Sequence, residues 1–582
     1  MTTAKKRTMR NYLENEGLKL IIWGGWFAVN LYLFIDTYLR YRTTDKYHYL
    51  YMLLSESICI SRACAAALNF NCAIILIPMC RTLLSFVRTK MLKYIHSNPR
   101  RLINHMKGLH VMSAYTTCIL GVTHALSHLV NGMRMHMNYS DYVPINPGPS
   151  KEGTTLPWFL GEVAGYTGII CLVALLIIII TSFKAVRRQK YELFWFAHHF
   201  SMVFLVSLCF HGMGGITKYQ TNLDKHPREC HHLYQKTWKD PRMQHMCKEP
   251  PIFTPNGPST WKWVIGPLIL YVLDRIIRLY RSSKDCKIIR AIMHEGKVLE
   301  LHMLKKGFKA KPGMYILVQC PQVAEFEWHA FTLTKVPTGK EGDAATFGVC
   351  IKVTGNWTEK LKEQLCGVDD DGVQLKRVAE DIIIHVNDEK HKPGKEGALP
   401  IIRVDGPYGS PNEDCFRYPV NVSVAAGIGI TPFACTLNYL KYLDPTALNK
   451  NFKMKRIYLI WVCRDIREFT WFLSLMNDTI KHLESIGMPD MLVVQLYVTR
   501  EAKLSADDPS MMDFKMQWFQ KQLRHGRPKF DDILKEIAIN YYKQRIGVFF
   551  CGPNPLANIL YQSCVKTKHR GNAFIFHKES FA

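Results

Sequence analysis

Long apolar runs separated by short basic segments fill the first half of the chain, whereas the second half alternates short apolar runs with amphipathic stretches. Six of the long runs approach the ~20 residues that a helix needs to cross a bilayer. They are residues 18–39, about 52–83, 108–131, 159–183, 191–213 and 260–281. The first half is therefore predicted to be an α-helical membrane domain of six spans, with both of its ends on one side.

The pattern changes near residue 282. The stretches CKIIRAIMHEGKVLELHMLKK, MYILVQCP and ATFGVCIKVTG read as strands of a small β-barrel. Further on, apolar strands such as VNVSVAA and RIYLIWVC each lead through a loop into a helical pattern, which predicts an α/β parallel sheet with helices on both faces. The predicted domains are 1–282, 283–415 and 416–582.

Lys and Arg residues near the ends of the apolar runs predict the orientation. TAKKRTMR, RTKMLKYIHSNPRRLINHMK, KAVRRQK and RIIRLYRSSK all lie on one side of a six-span model, which is therefore cytosolic. The loop 214–259 on the other side is also basic. The net charge of +27 would indicate nucleic-acid binding in a soluble protein, but anionic lipid headgroups and an anionic cofactor explain it better beside a membrane.

Two of the apolar runs contain histidines at nearly matched spacings. His110 and His124 are fourteen residues apart, and His198 and His211 are thirteen apart. Each spacing covers about 20 Å of helix, roughly two thirds of the hydrocarbon core. Ionisable side chains at such depth are rare and usually functional. Two helices side by side would thus offer two levels of paired imidazoles, a pattern that favours two stacked haems.

The second pair does not share one helix face. Thirteen residues leave His211 off the face of His198, so we expect a bulge or local unwinding between them. His199 is a substitute for His198 as a ligand, and His128, one turn after His124, is a competitor for that position.

Two arginines belong to the second run. Arg62 lies deep in it and is predicted to pair with haem propionates, because a buried guanidinium and a buried carboxylate neutralise each other. Arg81 is an interfacial residue whose charged end reaches the headgroups.

Two features belong to the loops on the side opposite the cytosol. Cys230 and Cys247 both fall in the loop 214–259 and are predicted to form a disulfide there. Asn138-Tyr139-Ser140 is a glycosylation sequon after the third span, and its occupancy stays open.

Glycine-rich turns follow predicted strands of the last domain. Gly427-Ile428-Gly429-Ile430-Thr431-Pro432 lies between a strand and a helix, and Cys551-Gly552-Pro553 and Arg464 end two further strands. Glycines let the backbone approach a pyrophosphate, and the N-terminus of a helix favours its charge. The three strand ends together predict a nucleotide site.

Several motifs resemble one known family. HAFTLT (329–334), VDGPYG (404–409), AAGIGITPF and FFCGP occur in the order typical of ferredoxin–NADP reductase-like enzymes. Joined to a six-helix, four-histidine core, they resemble the catalytic subunits of NADPH oxidases over residues 12 to 582. SRACAAALNFNC, GGITKYQTNLDKHPREC, IWVCRDI and the ending KESFA are similar to the constitutively active, hydrogen-peroxide-producing type of that family.

The resemblance implies ligands and cofactors residue by residue. His110 with His198 would hold an inner haem b, and His124 with His211 an outer one. The positions implied for FAD are His329, Phe331, Thr332, Thr334, Lys352, Gly355, Trp357 and Thr358, with Phe581 covering the flavin ring. The positions implied for NADPH are Gly427, Gly429, Pro432, Arg464, Arg527, Cys551 and Gly552.

Two residues depart from the family pattern. Ala330 stands where proline is usual, and Lys352 stands where arginine is usual, which removes a bidentate contact to phosphate.

Two arginines are expected to select the nucleotide. Arg464 and Arg527 are the candidates for the 2′-phosphate of NADPH.

The implied activity is that of a transmembrane NADPH oxidase, with His226, Cys551 and Phe581 as the candidate catalytic residues. Electrons from NADPH pass through FAD and two haems to dioxygen, giving superoxide and, as the main product, hydrogen peroxide. His226 is the candidate proton donor for the peroxide, with His231 and His232 as substitutes.

The resemblance also implies a small membrane-bound partner subunit. A ferric-chelate reductase is the alternative enzyme, and a proton channel or non-catalytic haem scaffold is the alternative of another class.

Overall fold

The chain divides into two compact units. The computed structural model describes residues 3–92, 97–139, 145, 160–231, 247–294, 296–339, 342–366, 375–378, 381–385, 399–444, 452–500, 517–567 and 571–579. The helical unit consists of Leu20–Cys80 and His105–Arg275, and the sheet unit consists of Met1–Lys19, Arg81–Asn104 and Ile276–Ala582. The predicted domain limits at residues 282 and 415 stay a prediction.

Helices occupy all six predicted spans. They are Thr3–Thr43, Glu56–Ile74, Met106–Met137, Val163–Ser182, the consecutive pair Tyr191–His198 and Phe200–His211, and Thr260–Ser282. The short helices His48–Leu54 and Lys184–Gln189 lie between them. Within the helical unit, Met106–Met137 packs against Glu56–Ile74, and Phe200–His211 packs against Val163–Ser182.

Four helical segments among the described residues are long and apolar enough to cross a membrane: Met9–Thr43, Glu56–Met79, Val163–Ser182 and Tyr191–Gly214. Met106–Met137 and Thr260–Ser282 are also long helices, and both contain charged residues: Lys107 and Arg134 in the first, and Lys262, Asp274, Arg275, Arg278 and Arg281 in the second. Large apolar side chains such as Phe27, Ile119 and Leu176 are exposed, as expected for helices surrounded by hydrocarbon. The number of six spans stays a prediction.

The helical unit also contains a two-stranded antiparallel sheet, β1 (Lys218–Gln220) with β2 (Phe253–Pro255). These strands belong to the predicted loop 214–259, and they bring its beginning and its end together.

An antiparallel sheet forms the first layer of the sheet unit, in the strand order β10-β5-β6-β7-β4-β3-β9-β8. The strands are β3 (Cys286–His294), β4 (Val298–Lys305), β5 (Tyr315–Gln319), β6 (His329–Lys335), β7 (Phe347–Lys352), β8 (Leu375–Val378), β9 (Asp381–His385) and β10 (Arg403–Tyr408). The sheet curls around Leu301, Ile316, Phe347 and Val349, which are completely buried. The helix Asn356–Cys366 follows β7 and adds Leu361 to this core.

A parallel sheet forms the second layer, in the order β14-β13-β12-β11-β15-β16. Its strands are β11 (Val420–Ala426), β12 (Arg456–Cys463), β13 (Leu492–Val498), β14 (Leu523–His525), β15 (Arg545–Cys551) and β16 (Ala573–Glu579). Its helices are Thr431–Lys441, Thr470–Ser485, Gln517–Gln522, Phe530–Ile539 and Asn554–Lys566.

Both faces of this sheet are buried. Leu459 and Trp461 of β12 belong to the core on one face, and Tyr458 and Ile460 belong to the core on the other. Successive side chains of a strand point to opposite faces, so a strand covered on both sides is apolar throughout. Since every pair of neighbouring strands is parallel, the carboxyl ends of all six strands lie at one edge.

Two segments from the first hundred residues belong to the sheet unit. Arg88 donates to Asp414 at 2.8 Å and Arg100 lies 2.9 Å from the same carboxylate, all of them buried. Paired charges are the form in which ions are tolerated in an interior. The Asn15 side chain donates to Phe574 O and accepts from Phe576 N, so it occupies backbone groups at the open edge of β16.

Candidate functional site

The four predicted histidines form two facing pairs in the helical unit. The ring centres of His110 and His198 are 6.2 Å apart, and those of His124 and His211 are 6.0 Å apart. Imidazoles bind metals at about 2 Å through nitrogen, so two rings on opposite sides of one metal have centres roughly 6 Å apart. Both separations match that requirement.

Hydrogen bonds orient the rings for ligation through Nε2. His110 Nδ1 donates to Ile75 O and His124 Nδ1 donates to Ser61 O, each at 2.9 Å. A carbonyl oxygen only accepts, so Nδ1 carries the hydrogen and Nε2 keeps its lone pair. His211 Nδ1 lies 3.1 Å from Thr167 Oγ1. His198 Nδ1 is buried and makes no hydrogen bond within the described residues. Three of the four rings are thus oriented by hydrogen bonds, and the two facing pairs fit the axial positions of two haems.

Glycine makes room beside the pair His124 and His211. A Cβ atom on Gly168 would lie 3.1 Å from Cε1 of His211, which is tighter than ordinary van der Waals contact. The absent side chain allows the imidazole to lie directly against the neighbouring helix.

The predicted irregularity in the second histidine helix is confirmed. One helix ends at His198 and the next begins at Phe200, so the break falls between the two ligand candidates. This break brings His211 opposite His124 although thirteen residues do not complete whole turns.

The two substitute histidines occupy other positions. The exposed His199 bonds through Nδ1 to Trp195 O at 2.7 Å and packs on the Trp195 ring, so it does not replace His198 opposite His110. His128 packs edge-on against His124, at 4.5 Å between ring centres, and its Nδ1 is 3.3 Å from Asn131 Nδ2.

The two arginines of the second predicted span have different surroundings. Arg62 donates through Nε to the Tyr41 hydroxyl at 3.1 Å, and its guanidinium lies 5.6 Å from the centre of that ring. The pairing of Arg62 with a haem propionate stays a prediction. Arg81 begins the helix Arg81–Phe86 and is exposed, in agreement with an interfacial position.

Backbone proximity creates the nucleotide site at the carboxyl edge of the parallel sheet. β11 and β15 are neighbours, with Ala425 opposite Cys551. Gly427 has a left-handed φ of +53°, and a Cβ on Gly429 would lie 2.2 Å from Cys551 O. Only glycine permits this approach of two turns.

The second turn needs glycine for the same reason. A Cβ on Gly552 would lie 2.8 Å from Cβ of Ala426, at a φ of +158°. Pro432 follows in the first turn of the helix Thr431–Lys441, where a missing N–H is harmless. The two glycine turns therefore face one crevice, with a helix N-terminus at each.

Basic side chains follow the strands on one side of these turns. Arg464 comes directly after β12, Arg500 lies two residues after β13, and Arg527 lies two residues after β14. All three are exposed. Arg500 N donates to Arg464 O at 3.1 Å, which joins the first two strand ends. Arg500 was missed from the sequence, although its place just beyond the strand MLVVQLYV was the available signal.

The predicted flavin residues converge at one place in the curled sheet. His329 and Phe331 point to the same face of β6, and both rings stack on Trp357, at 4.1 and 6.1 Å between centres. The Thr358 hydroxyl accepts from Gly355 N at 3.1 Å, which closes the turn before the helix Asn356–Cys366. The turn thus presents the first backbone N–H groups of a helix.

Polar atoms at this place fit an additional group. Thr332 Oγ1 and Trp357 Nε1 are buried and make no hydrogen bond within the described residues. Buried polar atoms normally have a partner, so these two are suited to a bound molecule. Lys352 lies 3.7 Å from Glu468 and near the Trp471 ring. Thr334 is buried, and its hydroxyl is 4.0 Å from the Cys350 thiol.

The loop 214–259 is closed by the predicted disulfide. Cys230 and Cys247 are bonded, which confirms that pairing. His226 is 1% exposed and uses both ring nitrogens: Nδ1 donates to Glu249 O at 2.9 Å, and Nε2 lies 2.6 Å from the Tyr49 hydroxyl. Burial lowers the pKa of His226 from its usual value of 6.5, so the imidazole is mainly neutral at pH 7. The role of His226 as a proton donor stays a prediction.

Two of the remaining predicted residues lie within the described part of the chain, and two lie outside it. His231 lies in the same loop, 4.6 Å from the Tyr49 ring between centres. The Asn138 side-chain amide donates to Leu53 O at 3.0 Å. His232 and Phe581 lie outside the described residues.

Comparisons with known proteins agree with this arrangement. Residues 64–209 match the family model "Ferric reductase like transmembrane component", residues 283–412 match "FAD-binding domain", and residues 418–565 match "Ferric reductase NAD binding domain". The chain is 35% identical to NADPH oxidase 4 of Homo sapiens over 601 residues, covering 98% of this chain and 99% of that protein. It is 34% identical to NADPH oxidase 1 of Mus musculus, covering 99% of this chain and 95% of that protein.

The chain belongs to the NADPH oxidase family.

Membership of the NADPH oxidase family confirms the predicted enzyme class and fold class. NADPH oxidase 3 of Homo sapiens is 34% identical over 98% of this chain and 99% of its own length. A solved flavohemoglobin from Malassezia yamatoensis covers 91% of this chain at 14% identity, with a TM-score of 0.32 that is too low to relate the two folds. As in the family, a transmembrane ferric reductase-like component precedes an FAD-binding and an NAD-binding domain.

In this member of the NADPH oxidase family, a buried carboxyl at the end of the parallel sheet was not predicted from the sequence. Glu579 ends β16 and is buried, and burial raises the pKa of its carboxyl to about 8 despite the opposing effects of Ser410 and Arg88. Burial also raises the pKa of the Cys551 thiol, so that group stays protonated at neutral pH. The glutamate in KESFA was the only signal in the sequence.

Proposed function

We propose that this chain is a transmembrane oxidase that takes electrons from cytosolic NADPH and delivers them to dioxygen on the opposite side, releasing mainly hydrogen peroxide. The two facing histidine pairs carry this proposal, because they provide two metal-binding levels along the same helices. The crevice at the glycine turns and the aromatic cluster at Trp357 supply the sites for NADPH and FAD.

The proposed division of labour follows the geometry. His110 with His198 would hold one haem b, and His124 with His211 the other. When bound, FAD and the haems would supply the change from two-electron to one-electron chemistry. Three of the four imidazole orientations are fixed by Ile75 O, Ser61 O and Thr167 Oγ1, so those rings need little reorganisation for ligation.

Nucleotide selection is assigned to arginines at the carboxyl edge of the parallel sheet. Arg464 and Arg527 would bind the 2′-phosphate of NADPH, where a guanidinium offers a charged, bidentate contact. Arg500 lies between them in strand order and joins this set. Gly429 and Gly552 leave space for the pyrophosphate, and Lys352 would neutralise a flavin phosphate.

Peroxide release is assigned to the closed loop 214–259. The loop begins at the helix end that carries His211, so it lies beyond the pair His124 and His211. The Cys230–Cys247 disulfide and the buried His226 hold it together. A closed loop would retain superoxide until it takes up a second electron and two protons, or until two superoxide ions and two protons give hydrogen peroxide and dioxygen.

Membrane placement and partners complete the proposal. The flavin and nucleotide domains, 283–415 and 416–582, would be cytosolic, in agreement with the basic segments on that side. A small membrane-bound subunit would associate with the spans, as the family resemblance implies. Co-purification from mild detergent tests that association.

Product analysis in membranes tests the activity. NADPH should drive oxygen consumption without added iron, and peroxide-specific and superoxide-specific probes should show mainly peroxide. Activity that requires a ferric chelate and consumes no oxygen would favour the ferric-chelate reductase. Absence of any NADPH oxidation in membranes that retain both haem spectra would favour the channel or scaffold. A His199→Leu variant, altered at an exposed position, serves as the matched control.

A further inference from the structure

A buried contact joins the loop 214–259 to the short helix His48–Leu54, which precedes the second span. Tyr49 of that helix is buried, and its hydroxyl lies 2.6 Å from Nε2 of His226, 177 residues away in sequence. Both residues belong to the helical unit.

The direction of this hydrogen bond follows from the other side of the imidazole. His226 Nδ1 faces Glu249 O at 2.9 Å, and a carbonyl oxygen can only accept. Nδ1 therefore carries the hydrogen of the neutral ring, and Nε2 has the lone pair. The Tyr49 hydroxyl donates to Nε2, so the ring is fixed at both nitrogens.

Neighbouring contacts hold the tyrosine in this position. The Tyr49 ring packs edge-on against His231, at 4.6 Å between centres, and against Phe253 of β2, at 5.4 Å. His231 follows the disulfide residue Cys230 directly. Tyr49 thus contacts both parts of the loop that the disulfide joins. It contacts the first part through His226 and His231, and the last part through Phe253.

A second bond anchors the same histidine within the loop. Gln220 of β1 donates through its side chain to His226 O at 2.7 Å. His226 is consequently bonded to β1 and to the segment before β2, both within the loop. Of the three bonds, the one to Tyr49 connects His226 to a helix outside the loop.

We infer that Tyr49 is a positioning residue for His226 and that its hydroxyl, by holding the loop closed, determines how much of the reduced oxygen is released as peroxide. This inference rests on the proposed oxidase function and names a residue outside the loop. The Tyr49 hydroxyl bonds to His226, so Tyr49 acts through that residue.

Conservative variants of the full chain in membranes test the inference. Tyr49→Phe removes the hydroxyl and keeps the ring that packs on His231 and Phe253. We expect the superoxide share to rise several-fold, with kcat and KM for NADPH consumption unchanged. His226→Gln should give a similar shift. The double variant should shift the product ratio no more than His226→Gln alone, because both substitutions remove the same hydrogen bond between residues 49 and 226.

Tyr47→Phe is the matched control. Tyr47 is equally buried, lies two residues earlier and stacks on Tyr41, at 4.0 Å between ring centres, and not on His226. Its variant should keep the product ratio of the wild type. Unchanged haem absorbance in every variant would establish that the helical unit remains intact.

Limited proteolysis gives a second readout that does not depend on turnover. Lys225 is exposed next to His226, so trypsin added to the outer face should cut there faster in Tyr49→Phe than in Tyr47→Phe. If Tyr49→Phe keeps the cleavage rate and the product ratio of the wild type while His226→Gln shifts the product ratio, the inference is overturned and the proposed function is not. If the wild type releases superoxide and no peroxide, the proposed product and the inference are both overturned.

Discussion

The helical unit and the parallel sheet of the sheet unit place their chemistry in different ways. In the helical unit, side chains do the work: four imidazoles at regular intervals on few helices meet in two pairs. In the parallel sheet, the absence of side chains matters most, since Gly429 and Gly552 allow two turns to meet that are more than a hundred residues apart. Ligand geometry thus depends on helix phase in one region and on strand alignment in the other.

The two regions should therefore respond differently to substitution. Loss of one imidazole removes a ligand and leaves the helix in place, because helix hydrogen bonds are local. Addition of one methyl group at a glycine turn displaces backbone and disturbs a whole strand end. Four experiments separate these behaviours.

The largest effect is expected at the histidine pairs. His110→Leu or His198→Leu should remove the low-spin absorbance of one haem, and His124→Leu or His211→Leu that of the other, since each iron loses one of two ligands. NADPH-driven oxygen reduction should fall below detection. His199→Leu should keep both signals, because His199 is exposed and bonded to Trp195 O. Full haem content in all four variants would refute the pairing.

A smaller but strong effect is expected at the glycine turn. Gly429→Ala places a Cβ 2.2 Å from Cys551 O. Overpacking of this kind costs about 1–3 kcal/mol, so KM for NADPH should rise roughly tenfold or more while the haem spectrum stays unchanged. Gly487→Ala is the control, because its Cβ would meet no atom within 4 Å, although alanine at its φ of +75° is strained. Equal KM values for the two variants would contradict the close approach.

Nucleotide preference should change more moderately. Arg464→Ala with Arg527→Ala should raise KM for NADPH and leave KM for NADH nearly unaltered, because only the contact to the 2′-phosphate is lost. A charge-assisted hydrogen bond contributes about 1.5–3 kcal/mol, so the preference should narrow at least about tenfold. Arg456→Ala, at the amino end of β12, is the control. An unchanged ratio would place phosphate recognition elsewhere, with Arg500 as the next candidate.

The last experiment concerns the pH dependence of stability. Burial raises the pKa of Glu579 from 4.5 to about 8, so the native protein binds a proton that the unfolded chain releases. Stability from this group is complete below pH 4.5 and is lost as the pH rises toward 8, with a slope of at most about 1.4 kcal/mol per pH unit. Glu579→Gln should flatten the thermal midpoint of the purified chain between pH 5 and 8. The exposed Glu536→Gln should not, and equal slopes in both variants would dismiss the buried carboxyl.

Local patterns explain why much of the architecture could be predicted. The six apolar runs, the alternation of strands and helices and the glycine turns each depend on residues within about twenty positions, so their periods appear directly in the sequence. The spacing of His110 and His124 predicted a shared face, and the spacing of His198 and His211 predicted an irregularity between them. The break at His199 is that irregularity.

Contacts between distant segments could not be predicted in this way. Arg88 meets Asp414 across 326 positions, and Tyr49 meets His226 across 177. No periodicity connects such residues, because the contact depends on how whole elements pack. The raised pKa of Glu579 has the same origin, since burial at the end of β16 is a property of the assembled sheet.

The sequence by itself determined which groups this protein can use: histidines at two depths, glycines at strand ends, arginines after strands and a pair of loop cysteines. Those features are local, and short-range sterics and hydrophobic period specify them. Only the tertiary structure decided how far apart the facing imidazoles lie, that both nitrogens of His226 are engaged and that Gly429 lies against Cys551 O. These outcomes require the packing of elements far apart in the chain, where close contact, burial and hydrogen-bond geometry arise together.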